Sequence, residues 1–305
     1  MSGRTPAKIR IGTRGSKLAL AQANSVARLL QEFGAAAEIK VIRTAGDAGA
    51  EPLSESPTGI FVREIEQALL RGEVDLAVHS MKDLPTEDRP GLVVAAVPER
   101  ADPRDALVTP AGATLADLPV GSRVATSSPR REAQLRAHRP DLIFVGVRGN
   151  VDTRLRKLDE GQFDALVLAY AGLVRLSLGE RVSDLIPFDV CLPAPGQGAL
   201  ALQMREGDDA IAGAVGRLDH QASRLAVTAE RAFLQRLGAG CTVPAGALGV
   251  VEGDHLRLRA AVATIDGSSV LRRELIGHRH EAEQVGRALA DGFLDAGAQA
   301  MTAQR

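Results

Sequence analysis

Only two cysteines, Cys191 and Cys241, occur in the 305-residue chain. Two thiols do not make a disulfide framework, and no Cys/His cluster has the spacing of a zinc site. Long hydrophobic runs are also missing: no stretch reaches the roughly 18 apolar residues of a membrane span. Residues 1–10 lack the apolar core of a signal peptide. These absences point to a cytoplasmic protein with no membrane partner and no metal. Charge of one sign is not in excess either, since 37 cations nearly cancel 38 anions, which removes the general basic field that attracts nucleic acid. Lysine is scarce, with Lys8, Lys17, Lys40, Lys82 and Lys157 against a large majority of arginines. That skew accompanies abundant alanine and glycine and reads as compositional bias, so an arginine carries meaning only through its position. No Walker A sequence, GxSxG elbow or HExxH pair occurs. Gly196-Gln197-Gly198-Ala199-Leu200-Ala201 matches a dinucleotide pattern in letters only, because a proline-rich segment, not a strand, precedes it.

What is present is enough apolar material, 45% of residues, to fill more than one core. Strand and helix signals alternate over the first two thirds. Strands are expected at 8–12, 38–44, 74–79 and 92–97, with helices at 17–33 and 61–71. A second series gives strands at 123–126, 142–147 and 165–168, and helices at 130–137, 151–158 and about 169–176. Gly34 suits the left-handed cap of the first helix. Prolines 98 and 103, then 193 and 195, mark two crossings between these α/β units and suggest a hinge. After a helix at about 219–237 come three alternating strands, joined at Glu252-Gly253-Asp254 and Asp266-Gly267-Ser268, and a last amphipathic helix from 280 to about 296. The expected fold is two α/β lobes plus a small α+β C-terminal domain with a three-stranded antiparallel sheet. Their spans are 1–98, 103–193 and 219–305.

One arrangement recurs: a strand ends in small or hydroxylic residues and a helix start carries arginine. Thr13-Arg14-Gly15-Ser16, Thr126-Ser127-Ser128-Pro129-Arg130-Arg131 and Arg148-Gly149-Asn150 all show it. Free NH groups and the positive dipole end at a helix start bind anions, and an arginine fork adds a bidentate bond to a carboxylate. Any single case is better read as an ordinary cap with a solvated arginine. Three at the carboxyl ends of strands favour a polyanion, most simply a polycarboxylate, held between the lobes. Arg154, four residues after Asn150, extends one patch. Arg175 could simply complement a helix dipole.

His79-Ser80-Met81-Lys82-Asp83-Leu84-Pro85 closes another strand. It offers a hydroxyl, a cation and a carboxylate on one loop, or only a polar turn stopped by proline. His79 itself suits packing or hydrogen bonding better than metal ligation. Cys241, in the glycine-rich segment 238–244, is the thiol more available to chemistry, whereas Cys191 between Val190 and Leu192 reads as a small buried hydrophobe.

Six segments in this order, 11–16, 78–85, 126–131, 147–154, 195–198 and 240–244, resemble the motif series of the porphobilinogen deaminases, also called hydroxymethylbilane synthases. The similarity runs from about residue 8 to the end of the chain. It implies lobes like those of type II periplasmic binding proteins, with the first lobe discontinuous, 1–98 with 198–217. It also implies a dipyrromethane cofactor joined by a thioether to Cys241, and Asp83 as the catalytic carboxylate. In the family's reaction porphobilinogen loses ammonia and four units are condensed head to tail, after which hydrolysis releases hydroxymethylbilane. The resemblance assigns acetate and propionate binding to Arg14, Arg130, Arg131, Arg148, Arg154 and Arg175. Ser16, Ser80, Lys82, Thr126, Ser127, Ser128, Gly149, Asn150 and Gln197 assist them. The expected partner is porphobilinogen alone, acting on a monomer in tetrapyrrole biosynthesis.

One region departs from the family pattern. Many relatives have glycine and lysine before the phenylalanine corresponding to Phe61, where this chain has Leu53-Ser54-Glu55-Ser56-Pro57-Thr58-Gly59-Ile60. A lid over the site formed by Ser54, Thr58 and Phe61 would therefore lack cationic help, or the segment is a variable surface loop. Two rivals remain open at this stage. A solute receptor shares the two-lobed plan but needs neither Asp83 nor Cys241, and a degenerate paralogue would retain the cofactor without turnover.

Overall fold

The computed structural model describes residues 8–42, 62–238 and 244–303. The chain forms two compact units, one built from 1–101 with 199–224 and the other from 102–198 with 225–305.

The first unit opens with β1 (Ile9–Thr13), α1 (Lys17–Glu32), β2 (Ala37–Val41), α2 (Arg63–Leu70), β3 (Leu76–Ser80) and β4 (Leu92–Ala96). Helix α1 forms because Ser16 caps its start by accepting the Ala19 N–H at 3.3 Å. Ala23, Val26, Ala27 and Leu30 recur on its buried side, and Gly34, at φ +80°, supplies the left-handed turn after it. That stripe packs on Ile9, Ile11, Leu76 and Val78 of the sheet. Strands β1, β2 and β3 run parallel, so the chain segments after β1 and β3 leave the same edge of the sheet. This is where open α/β sheets place their ligands.

The second unit begins with β5 (Asp105–Val108), β6 (Arg123–Ala125), α3 (Pro129–His138), β7 (Ile143–Val145), α4 (Val151–Asp159), β8 (Ala165–Ala169), α5 (Tyr170–Arg175) and β9 (Asp184–Leu185). Its sheet order is β7-β6-β8-β5-β9, with β6 parallel to β7 and β8 and with β5 antiparallel to β8. Pro129 occupies the first turn of α3, where its missing N–H costs nothing, and Ser128 caps it.

The chain then returns to the first sheet as β10 (Leu200–Arg205), which inserts antiparallel between β3 and β4 and completes the order β2-β1-β3-β10-β4. Five of its six residues are buried, as a strand covered on both faces requires. Helix α6 (Asp209–Val215) follows, and Asp208 caps it by accepting the Ile211 N–H. After α7 (Gln221–Arg236) come β11 (Ala245–Glu252), β12 (His255–Ala263), β13 (Val270–His278), α8 (Ala282–Asp295) and α9 (Ala298–Ala303). The three strands form the expected antiparallel sheet. Its core includes the edge-on ring pair Phe233 and Phe293, 5.4 Å apart, a contact worth about 1 kcal/mol beyond burial.

Residues 103–193 and 225–305 pack together within the second unit. Close packing and a buried carboxylate explain the union. The Glu230 carboxylate is fully buried and accepts the N–H of Gly196 at 2.6 Å and of Gly249 at 2.7 Å. Gly246 lies against the Leu192 backbone so tightly that a Cβ there would come within 2.7 Å of the carbonyl.

Candidate functional site

In the first unit, parallel pairing of β1 and β3 brings two strand-end segments together. Arg14 and Ser16 follow β1; Ser80 ends β3, and Asp83 closes the single 3-10 turn after it. Arg14, Ser16, Gln22, His79, Ser80 and Asp83 line one cavity of about 70 Å³. Asp83 is half-buried and forms no ion pair or hydrogen bond among the described residues, leaving both carboxylate oxygens available as acceptors. Lys82 is half-buried beside it. The hydroxyl of Ser16 is engaged as the cap of α1, so its contribution is to aim that helix start at the cavity.

Gln22 has no place in the sequence reading, yet its Nε2 donates to Ser80 Oγ at 2.9 Å and fixes that hydroxyl. A polar residue inside the apolar stripe of α1 was the available signal. His79, expected to be packed or hydrogen-bonded, is 5% exposed and meets Gln203 Oε1 through Nε2 at 3.1 Å. Gln203 Nε2 in turn donates to Glu66 Oε1 at 3.1 Å. Since Gln203 presents its oxygen to the ring, Nε2 must carry the histidine proton. Burial pushes the His79 pKa down to about 4.

In the second unit the motif 126–131 builds an internal network. Thr126 is buried and accepts the Ser128 N–H at 3.2 Å, while Ser128 Oγ accepts the Arg131 N–H at 3.4 Å. Ser127 Oγ donates to the Val147 carbonyl and accepts the Val147 N–H at 3.0 Å, tying together the ends of β6 and β7. Arg130 and Arg131 were expected as open carboxylate forks. Both are buried, and the carboxylate they hold is the protein's own Asp105. Arg130 Nη1 reaches Asp105 Oδ2 at 2.7 Å and the Leu192 carbonyl at 2.6 Å. Gln197 is likewise fully buried, donating to the Pro103 carbonyl at 2.7 Å and Asp105 Oδ1 at 2.8 Å. Burial alone would raise the Asp105 carboxyl, but the two guanidiniums outweigh it and hold it well below the usual carboxylate range. Cys191 lies in the same network as a buried thiol, pushed up to about 12 by burial. Asp105 was missed because an isolated aspartate before a short apolar run gives no sign that two arginines from another element will meet it.

The cations left open stand beside this network. Thr126, Ser127, Arg148 and Lys157 help line a cleft of about 620 Å³. Arg148 is exposed and forms no ion pair among the described residues. Gly149, at φ +114°, bends the chain into α4; a Cβ there would lie 2.8 Å from Thr153 Cγ2. Asn150 is the N-cap of α4, but its side chain makes no cap bond, so the amide is available to a ligand. Lys157, another residue not singled out in the sequence, donates to the Arg148 carbonyl at 3.3 Å. Its place two helical turns after Asn150 was the available signal. Arg154 Nε donates to the Gly149 carbonyl at 2.7 Å, and burial, then the charge of Arg131, lower its pKa. Arg175 donates to the Gly198 carbonyl at 2.7 Å, has no acid partner among the described residues, and is pushed down to about 10 by burial. Cys241 and the lid candidates Ser54, Thr58 and Phe61 lie outside the described residues.

Comparison with known proteins agrees with these motifs. Residues 9–213 match the family model described as porphobilinogen deaminase, dipyromethane cofactor binding domain, and 224–295 match its C-terminal domain. A porphobilinogen deaminase of Acidothermus cellulolyticus is 52% identical over 296 residues, covering 95% of this chain and 89% of the relative. One from Thermus thermophilus is 51% identical over 297 residues, covering 96% and 98%. Among solved structures, the periplasmic VFT2 domain of Bordetella pertussis BvgS aligns with 70% of this chain and 86% of its own, at 18% identity and a TM-score of 0.42. Groups of three or more metal-ligating side chains are absent among the described residues, as is any helix long and apolar enough to cross a membrane.

Proposed function

The chain belongs to the porphobilinogen deaminase family, and on that premise we propose which residues carry out the family's condensation of four porphobilinogen molecules into hydroxymethylbilane. The observation that carries the assignment is a set of cations without counter-charges. Arg148 is exposed and Arg175 desolvated, and neither has an acid partner among the described residues. Acetate and propionate groups are the chemistry such donors require.

The same donor set fits the family's dipyrromethane. Arg148, Arg154, Arg175, Lys157 and the Asn150 amide would hold its carboxylates, supported by Arg14, Lys82 and Ser80, with Cys241 as the attachment point. When bound, that group supplies the nucleophilic pyrrole carbon. Everything else falls to this chain. Asp83 accepts the pyrrole N–H of the incoming porphobilinogen and stabilises the positive charge that develops as ammonia departs. It then takes the proton lost from the ring carbon. Ser80, held by Gln22, orients the substrate beside Asp83.

Arg130, Arg131 and Gln197 are assigned an indirect part. Anchored on Asp105, they fix the start of α3 and contribute one net positive charge to the cleft. Thr126, Ser127 and Ser128 set the loop that joins this network to Val147. Gly149 provides the turn that presents Arg148 and Asn150. Ser54, Thr58 and Phe61 are proposed as a lid on the family resemblance alone. Action as a single chain in the cytoplasm completes the proposal, since every group named lies on one polypeptide and the near-neutral charge offers no field for a membrane or nucleic acid.

Intact mass spectrometry tests the reading. The purified protein should be heavier than its sequence by two pyrrole units, and Cys241→Ser should lack the increment. An active protein without it would remove Cys241 from its role.

A further inference from the structure

The second unit carries another cleft, of about 280 Å³, lined by Asp189, Leu192 and residues of β12 and β13. The antiparallel register sets Arg259 opposite Glu274 and Arg272 opposite Ala261. Arg259 and Arg272 are therefore diagonal neighbours on one sheet face, within reach of each other's long side chains. The next cation, Arg273, belongs to the other face, with Nη1 3.8 Å from where a Cβ on Gly292 would sit.

The acids of the cleft are already engaged. Glu274 holds Arg257 at 2.7 Å. Asp189 meets Arg259, but its side chain is 88% exposed, so that pair is solvated and weak. Arg272 has no acid partner among the described residues. Its Nη2 donates to neutral acceptors only, the Val190 carbonyl at 2.9 Å and Gln134 Oε1 at 3.3 Å. Burial lowers its pKa and the charge of Arg259 adds to this, outweighing the opposite pull of Cys191 and Asp189.

We propose that Arg259 and Arg272 form a second oxyanion site, separate from the residues assigned to condensation, that takes the carboxylate or phosphate group of a small solute. The ligand displaces Asp189 from Arg259 and supplies the acid that Arg272 lacks; two guanidinium forks suit the planar or tetrahedral oxygens of either group. The site also has a path into the unit. Gln134 Oε1, which accepts from Arg272, also accepts the Leu192 N–H at 3.0 Å, and the Leu192 carbonyl accepts from Arg130 Nη1. An occupant that draws Arg272 outward is thus felt at α3.

Calorimetric titration of the cofactor-loaded enzyme with inorganic phosphate, and separately with succinate, at ionic strength held constant with chloride, tests the site. Saturable binding of at least one probe is expected, and the responding probe tells phosphate from carboxylate. Affinity should fall roughly tenfold or more in Arg272→Gln and in Arg259→Gln, as expected for loss of a charged hydrogen bond, and should persist in Arg148→Gln. The two variants fail independently, so misfolding of one leaves the other decisive. Absence of saturable binding, affinity indifferent to both substitutions, or affinity lost with Arg148→Gln would overturn the proposal.

Discussion

Arg131 grips a single oxygen of Asp105 from two points, Nε at 2.9 Å and Nη2 at 2.7 Å, while Arg130 takes the other oxygen. All three side chains are buried. An ion triad of this kind need not add stability over an apolar core, but removing its one anion leaves two cations uncompensated.

Asp105→Asn should therefore destabilise the protein by about 3–5 kcal/mol in urea unfolding at neutral pH. The sign with pH follows from the depressed carboxyl. Its contribution is complete above the unfolded value, about 3.9, and is lost as pH falls toward the lower folded value. The gap between wild type and variant should narrow below about pH 4. A gap that is small at neutral pH, or widens in acid, would contradict the role given to Asp105.

His79 predicts a different window. Its folded pKa of about 4 lies below the ordinary value of 6.5, so the unfolded chain binds the proton more readily. Stability tied to the neutral ring is complete above about pH 6.5 and falls as pH drops toward 4, by about 3 kcal/mol in all. Unfolding at pH 7.5 and pH 5.0 should show about 2 kcal/mol of this loss in wild type and a smaller one in His79→Gln. A ring that titrates near its ordinary value by NMR would sink the account.

Much of this molecule is legible in its sequence. Periodicity and caps placed α1, α3, α4 and the three C-terminal strands within a few residues, because local signals determine them: Ser16 and Ser128 do cap their helices, and the two glycine turns do separate β11, β12 and β13. Strand β10 and helix α6 drew no assignment in the 198–217 stretch. A strand buried on both faces has no alternation to read, and its place between β3 and β4 is set by tertiary pairing. The site divides the same way. Open cations at helix starts were visible as motifs, whereas the closure of Arg130 and Arg131 onto Asp105, and of Gln22 onto Ser80, depends on contacts distant in sequence.

Asp83 carries the chemical prediction. Its carboxylate has no partner among the described residues, so Asp83→Asn should leave thermal unfolding unchanged. Loss of proton transfer should lower kcat by about two to four orders of magnitude. Initial rates of bilane formation together with a melting curve decide the matter. Turnover near the wild-type rate would assign proton transfer to another group, and a collapsed melting temperature would make Asp83 a structural residue.

Arg175 separates binding from stability more sharply than any other arginine. Burial pushes its guanidinium down to about 10, and among the described residues only the Gly198 carbonyl receives it. A desolvated cation without a counter-ion lowers stability in the ligand-free protein, so Arg175→Gln should melt at the same temperature as wild type or slightly higher. Loss of a charge-assisted contact should nevertheless raise KM for porphobilinogen roughly tenfold. Arg148→Gln is the comparison: its side chain is exposed, and removing a solvated charge should leave melting unchanged while also raising KM. If Arg175→Gln instead melts several degrees lower with KM intact, the bond to Gly198 is the reason for the residue, and the substrate's carboxylates are held elsewhere.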